Sequence, residues 1–245
     1  MILTPNSRVH CFFEQSGTFK NEFRKLGFEA YDYDIQNEYG QTDYIIDLFN
    51  EFEKAFDGQP SVFDTISKDD LIMAFFPCIF FSCQSQMGIY FSCVNYRNYT
   101  TMQKAHAILQ RSANREKFFA LAVKMFAVAL DRGLRLIMEN PWSEQTFLKQ
   151  NFVMPPAYVD IDRSKRGDYF KKPTAYWFLN CEPCQGYTLT PRKDVKRIND
   201  CKRGKAAGIC SKERSEIAPL YAYNFICDQV LGCRNKHEKQ LTIKF

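Results

Sequence analysis

No apolar run in this 245-residue chain is long enough to cross a bilayer; the nearest, residues 71–83, is too short and reads as a buried strand. The first residues, Met1-Ile2-Leu3-Thr4-Pro5-Asn6, hold no basic segment followed by an apolar stretch, so no secretory leader is expected. The three histidines, His10, His106 and His237, stand far apart, and no His-based metal pair is visible. There is no internal repeat and no low-complexity linker, which excludes solenoids and disordered arrays. These absences lead to the expectation of a cytoplasmic globular protein with no membrane partner. Its ten cysteines are then thiols or metal ligands rather than disulfides.

What is present is rich in aromatic residues, with 23 Phe and 13 Tyr, and long enough for one sizeable core plus a small appendage. The charge is unevenly placed. Residues 181–214 hold nine basic side chains and four acidic ones, a net of +5 that equals the net charge of the whole chain. That concentration is the footprint of a phosphate-backbone contact, and equally of a solvated basic loop.

Strand and helix patterns alternate along the chain. Residues 8–13 are apolar and β-prone, and residues 19–26 follow as a helix. Residues 28–35 alternate apolar with acidic, as a half-buried strand does. Ile45, Leu48, Phe49, Phe52 and Phe56 recur at helical spacing before Gly58-Gln59-Pro60. Residues 71–77 form a continuous apolar run typical of a central strand. Residues 116–130 predict a long helix, and residues 134–138 another buried strand. This alternation implies an α/β doubly wound sheet. Helical spacing returns at Ile217, Leu220, Tyr221, Phe225, Ile226 and Val230.

Four groups of residues carry candidate chemistry. The turn Phe13-Glu14-Gln15-Ser16-Gly17-Thr18-Phe19 joins a strand to a helix, where small residues let backbone N–H groups approach a ligand. Asp34, beside Ile35 at the end of the next strand, is placed to accept ribose hydroxyls, or is simply a solvated strand end. Phe76-Pro77-Cys78 delivers a cysteine to the carboxyl end of a strand, where α/β folds hold their active sites. Glu139-Asn140-Pro141 places a polar pair at the end of another strand, an expensive location without a role.

In order and spacing these motifs resemble the cytosine-5 DNA methyltransferase family, across nearly the whole chain. Pro77-Cys78-x-x-Phe81-Ser82 is similar to that family's nucleophile motif. Glu139-Asn140-Pro141 is similar to its E-N-V motif with proline third. The Phe13 turn resembles the F-x-G-x-G cofactor turn, except that Gln15 stands where glycine is usual. Lys172-Pro173-Thr174-x-x-Trp177 resembles a segment of small phage-type members, and residues 215–222 resemble the closing motif. The resemblance implies a Rossmann-like mixed sheet of the S-adenosylmethionine-dependent methyltransferase type with a small basic, cysteine-containing insertion. The implied divisions are a catalytic core over residues 1–180, a DNA-recognition insertion over 181–213 and a returning helix over 214–245. It also implies a bacterial or phage-infected host cell.

The implied roles follow the chemistry. Carbon 5 of cytosine becomes nucleophilic only after a thiolate adds at carbon 6, so Cys78 is the expected nucleophile and Glu139 the acid at N3, with Asn140 orienting the glutamate. Phe13, Glu14, Ser16, Gly17, Thr18, Phe19, Asp34, Ile35, Asp47, Leu48, Phe76 and Pro77 are the expected contacts to S-adenosylmethionine. The family's Q-x-R-x-R strand is not matched. Arg163 and Arg166 are the available guanidinium groups, or else exposed loop arginines. The partner is double-stranded DNA with a flipped cytosine, contacted by Ser82, Arg192, Lys193, Lys196, Arg197, Lys202 and Arg203. Cys181, Cys184, Cys201 and Cys210 are either a four-thiolate zinc site or ordinary reduced cysteines. Two alternatives stand beside this: a methyltransferase-fold protein that binds without turnover, and an RNA cytosine methyltransferase.

Overall fold

The computed structural model describes residues 3–82, 88–195 and 211–233. Seven strands form one sheet: β1 (Arg8–Phe12), β2 (Glu29–Asp34), β3 (Tyr44–Ile45), β4 (Leu71–Ala74), β5 (Arg135–Pro141), β6 (Tyr158–Asp160) and β7 (Thr174–Leu179). Their order is β3-β2-β1-β4-β5-β7-β6. The first five run parallel, and β7 is antiparallel to both β5 and β6. The architecture is α/β with a mostly parallel mixed sheet, compatible with a Rossmann-like fold.

Strand alternation sends successive side chains to opposite faces, and both faces are covered. Leu136 and Met138 of β5 join a cluster with Phe52 of α2 (Leu48–Phe56) and Met125 and Phe126 of α3 (Thr101–Arg132). Ile137 faces the other way, into a cluster with Phe19 and Phe23 of α1 (Thr18–Lys25). Phe225 of the returning helix (Pro219–Phe225) completes that cluster. Each fully buried Phe contributes about 1.5–3 kcal/mol, so the aromatic richness of the sequence is mostly core.

Three of the expected elements begin or end elsewhere, and β6, β7 and the short helix Phe147–Asn151 were not expected at all. Ile45 belongs to β3, and α2 begins only after Asp47, whose carboxylate accepts the Phe49 and Asn50 N–H groups. Strand β4 ends at Ala74 rather than running to Pro77. Helix α3 starts at Thr101, fifteen residues before the predicted start, behind a Thr100–Gln103 capping box. Its first part has no buried face, so no apolar period announces it.

The insertion expected from residue 181 begins as a strap along the core. The N–H groups of Cys184 and Gly186 donate to the carbonyls of Gln229 and Asp228, and those of Thr190 and Arg192 to Lys165 and Ser164. Residues 226–231 form a π-helical turn that brings Asp228 and Gln229 both inward.

The short 3₁₀ turn Arg163–Arg166 is closed by Gly167 at φ +95°, where an added Cβ would lie 2.7 Å from Leu220 Cγ. Gly167→Ala is expected to lower unfolding stability by about 1–3 kcal/mol in urea titration. An unchanged midpoint would show that this reversal is not constrained.

Candidate active site at the carboxyl edge of the sheet

Strand order reverses between β1 and β4, and in an open α/β sheet a ligand crevice forms at that point, outside the carboxyl ends. Two of the expected motifs lie there. The chain leaves β1 through Phe13, which adopts a left-handed backbone at φ 60° while its N–H donates to the Tyr33 carbonyl at 2.8 Å. It leaves β4 through Phe75, whose N–H donates to the Phe12 carbonyl at 2.9 Å. The rings of Phe13, Phe49 and Phe76 meet at 5.4–5.9 Å and form an aromatic wall.

The β1 turn is self-satisfied. Glu14 is buried, and its carboxylate accepts the N–H groups of Phe19 at 2.6 Å and Lys20 at 3.2 Å, occupying the start of α1. Burial pushes this carboxyl up to about 7 despite those two N–H donors. Gly17 at φ +66° opens the helix, and a Cβ there would come within 3.1 Å of Asn21. Ser16 and Thr18 hydroxyls lie 3.0 Å apart. Gln15 reaches across to the next loop, donating to Gln36 Oε1 at 3.0 Å and accepting the Glu38 N–H at 3.1 Å. Asp34 ends β2 and accepts the Gln36 N–H at 2.8 Å, while burial raises its pKa. Of the remaining expected cofactor contacts, Ile35 is exposed, whereas Phe19, Leu48 and Phe76 bury their side chains in the core. Asp47 is the cap of α2.

Cys78 lies half-buried in a tight turn just beyond β4. Its carbonyl accepts the N–H groups of Phe81 and Ser82 at 2.9 and 3.0 Å. Asn140 fixes this turn from β5 by donating Nδ2 to the Phe76 carbonyl at 2.9 Å. That corrects the expected role: Asn140 holds the cysteine's turn instead of orienting Glu139, because neighbours on a strand face opposite sides.

Glu139 is nearly buried, and its Oε1 has no hydrogen-bond partner. The guanidinium of Arg163 lies 3.6 Å from that oxygen. The idea of exposed loop arginines fails, since Arg163 and Arg166 are both fully buried. Arg163 stacks on the Tyr221 ring at 4.6 Å, donates to Thr174 Oγ1 at 3.4 Å and pairs with Asp168 at 2.5 Å. The Arg163–Asp168 contact is an ion pair by distance but lies off the line of a hydrogen bond. Burial opposes the charge on Arg163, but Asp168 together with Tyr176, Tyr221 and Glu139 outweighs it, so its pKa is raised. Arg166 points elsewhere, to Asp228 at 2.7 Å, Asp160 at 3.2 Å and the Tyr158 hydroxyl at 2.8 Å, and acts as a strut. Asp168, Tyr221 and Thr174 were not expected at the site, although Tyr221 and Thr174 fall in segments that the sequence singles out. Gly167-Asp168 directly after two arginines was the available signal.

Among the expected DNA contacts, Ser82 sits beside Cys78 and Lys193 is exposed. The Arg192 guanidinium covers the Tyr169 ring at 4.4 Å. Lys196, Arg197, Lys202 and Arg203 lie outside the described residues, as do Cys201 and Cys210. Cys184 donates to the Val230 carbonyl at 3.7 Å, and burial pushes the Cys181 thiol up to about 12, which favours thiol over thiolate. No group of three metal-ligating side chains occurs among the described residues, and no described helix is long and apolar enough to cross a membrane.

Glu14 is protonated more readily in the folded chain than in the unfolded one. Its contribution to stability is therefore fully present below about pH 4.5 and is lost as pH rises through about 7. Glu14→Gln is expected to gain stability relative to the parent between pH about 5 and about 8, read by urea unfolding at both values. A difference independent of pH would mean that Glu14 titrates normally. No protein-family model matches this chain, and no curated protein matches it.

Proposed function

We propose that this chain is an S-adenosylmethionine-dependent methyltransferase acting on carbon 5 of cytosine in DNA, with Cys78 as nucleophile. The observation that carries the reading is the orphaned Oε1 of Glu139, buried beside Arg163 at the end of the strand that neighbours β4 and Cys78. Arg163 meets the charge of this carboxylate, but the oxygen accepts no hydrogen bond among the described residues, which leaves it able to accept one from a ligand. A pyrimidine N3–H donates such a bond.

The steps follow from these groups. The Cys78 thiolate adds to carbon 6, and Glu139 shares the proton that N3 takes up as the ring becomes enamine-like. S-adenosylmethionine, when bound, supplies the methyl group that carbon 5 accepts. Loss of the carbon 5 proton to a base then lets the C6–S bond break, returning the thiolate. Arg163 fixes the carboxyl by charge, and Asn140 fixes the turn of the nucleophile. The half-buried rings of Phe13 and Phe49, backed by the buried Phe76, and the strand-end Asp34 are suited to a nucleoside cofactor.

A second reading, a protein of this fold that binds without turnover, is favoured by Gln15, which closes the β1 turn onto the Gln36 loop across the crevice. The two readings part in one assay, incubation with duplex DNA carrying 5-fluorocytosine and S-adenosylmethionine. We expect a covalent adduct resolved on a denaturing gel, none with Cys78→Ser, and formation slowed about 10²-fold or more in Glu139→Gln. Measured cofactor binding by calorimetry with no adduct on any duplex would favour the second reading instead.

A further inference from the structure

Between Asp70 and Glu116 the chain has no acidic residue, although 28 acids in 245 residues would place about five in such a stretch. The same stretch contains Arg97, Lys104, Arg111 and Arg115, and it runs directly on from Cys78. Its folded part is an arm. Residues 88–100 close on themselves through the Tyr96 hydroxyl, which donates to the Gly88 carbonyl at 2.7 Å, and lead into the capping box that opens α3. No residue of α3 before Leu121 is buried. Phe118 anchors the helix to the turn of the nucleophile, its ring lying 4.7 Å from Phe80 and 6.4 Å from Phe76.

The direction of the arm follows from topology. Because α3 connects the parallel strands β4 and β5, it runs antiparallel to them, and its first residues lie on the carboxyl side of the sheet. From Phe118 back to Thr101 the helix therefore extends about 25 Å past the edge that holds Cys78. Along this arm Tyr90, Phe91, Tyr99, Met102 and Leu109 are exposed, as is Arg97, with Lys104 half-exposed.

A solvated helix surface normally mixes both signs of charge. One that excludes acids over this length while exposing aromatic rings is complementary to a polyanion with stackable faces. An isologous contact with a second copy would set these cations against one another. The exposed large apolar side chains of this helix, Met102 and Leu109, stand two turns apart and are too sparse for an interfacial helix on a lipid surface. We propose that residues 88–117 form a nucleic-acid-binding arm, in which Arg97 and Lys104 contact phosphates and Tyr90, Phe91 and Tyr99 stack on unpaired bases. The proposal rests on the nucleic-acid reading of Cys78 and assigns part of the surface that holds that substrate.

The test uses the full chain, a fluorescein-labelled duplex and its separated single strand, with anisotropy followed over salt from about 50 to 200 mM. For Arg97→Ala/Lys104→Ala we expect the slope of log affinity against log salt to fall by about two. The equal charge change in Lys25→Ala/Lys54→Ala, outside the arm, is expected to leave it unaltered. Tyr99→Ala is expected to weaken single-strand binding about fivefold or more. Circular dichroism melts check that each variant folds. An unaltered slope in the arm variant overturns the proposal. So does binding to phosphatidylserine vesicles with none to either nucleic acid, or a dimer in sedimentation that Met102→Glu/Leu109→Glu dissociates. Failure here is distinct from failure of the Cys78 reading. Lost binding in the arm variant with no 5-fluorocytosine adduct from the parent keeps the arm and removes the chemistry. Adducts formed at an unchanged rate by the arm variant keep the chemistry and remove the arm.

Discussion

A guanidinium sealed from water organises the half of the protein that follows β5. Arg163 is wholly buried, so its charge has to be matched from inside. Asp168 does so from the end of the 3₁₀ turn, Glu139 from β5 and the Tyr221 ring from the returning helix. These groups come from three separate stretches of chain, and the arginine is tolerable in the interior only when all three have docked. Asp168 then carries the arrangement further by accepting the Ala218 N–H at 2.9 Å, which fixes where the returning helix begins. Arg166 repeats the device one turn on. Its bonds to Asp160 and Asp228 hold the π-helical turn, and Asp228 in turn accepts the N–H and hydroxyl of Thr188 from the strap of the insertion. The network makes the candidate acid, the returning helix and the strap one cooperative unit.

The elements readable in the sequence were those whose side chains obey a period. Residues 71–74 are uniformly apolar because both strand faces are core; residues 28–35 are covered on both faces too, with Ala30 in one core and Tyr33 in the other, and their acid Asp32 is buried where the alternation suggested a solvated face. Asp34 and Cys78 were found because they sit just beyond such runs. The misses share a cause. Strand β3 is two residues long and exposed, so nothing in its composition separates it from the helix that follows. The first half of α3 has no core to face and therefore no apolar stripe. The arginines at 163 and 166 looked exposed because their partners lie as far away as residues 221 and 228, and no local pattern reports a counter-charge that arrives from so distant a segment. Burial of a charged side chain is a property of the assembled fold.

The β1 turn departs from the family it resembles, and it does so in a connected way. With Gln15 in place of a glycine, a side chain is available to bridge the turn to residues 36 and 38. With Glu14 before it, the N–H groups at the start of α1 already have an anion. Both side chains fill, from within the chain, polar functions that a glycine-rich turn leaves to its ligand. Under the proposed function a cofactor entering here would compete with two internal partners, and protonation of Glu14 would alter one side of that competition, which would tie its affinity to pH.

The relation between the proposed nucleophile and acid is set by the backbone rather than by contact between them. Ala74 stands opposite Met138 in the parallel pairing of β4 with β5, so Phe76 comes level with Asn140. Alternation along β5 then divides the labour of two adjacent residues. Asn140, on one face, binds the Phe76 carbonyl and stops the chain from drifting as it leaves β4. Glu139, on the other, turns towards Arg163. A slip of one residue between these strands would carry Cys78 about 3.3 Å along the edge and put its turn out of reach of the Asn140 amide. Close packing of Ile72 and Ala74 in one core and of Leu71 and Met73 in the other opposes that slip, because it would interchange side chains of different size between them. The registry of two buried strands thus fixes where the proposed thiol and carboxyl leave the edge of the sheet.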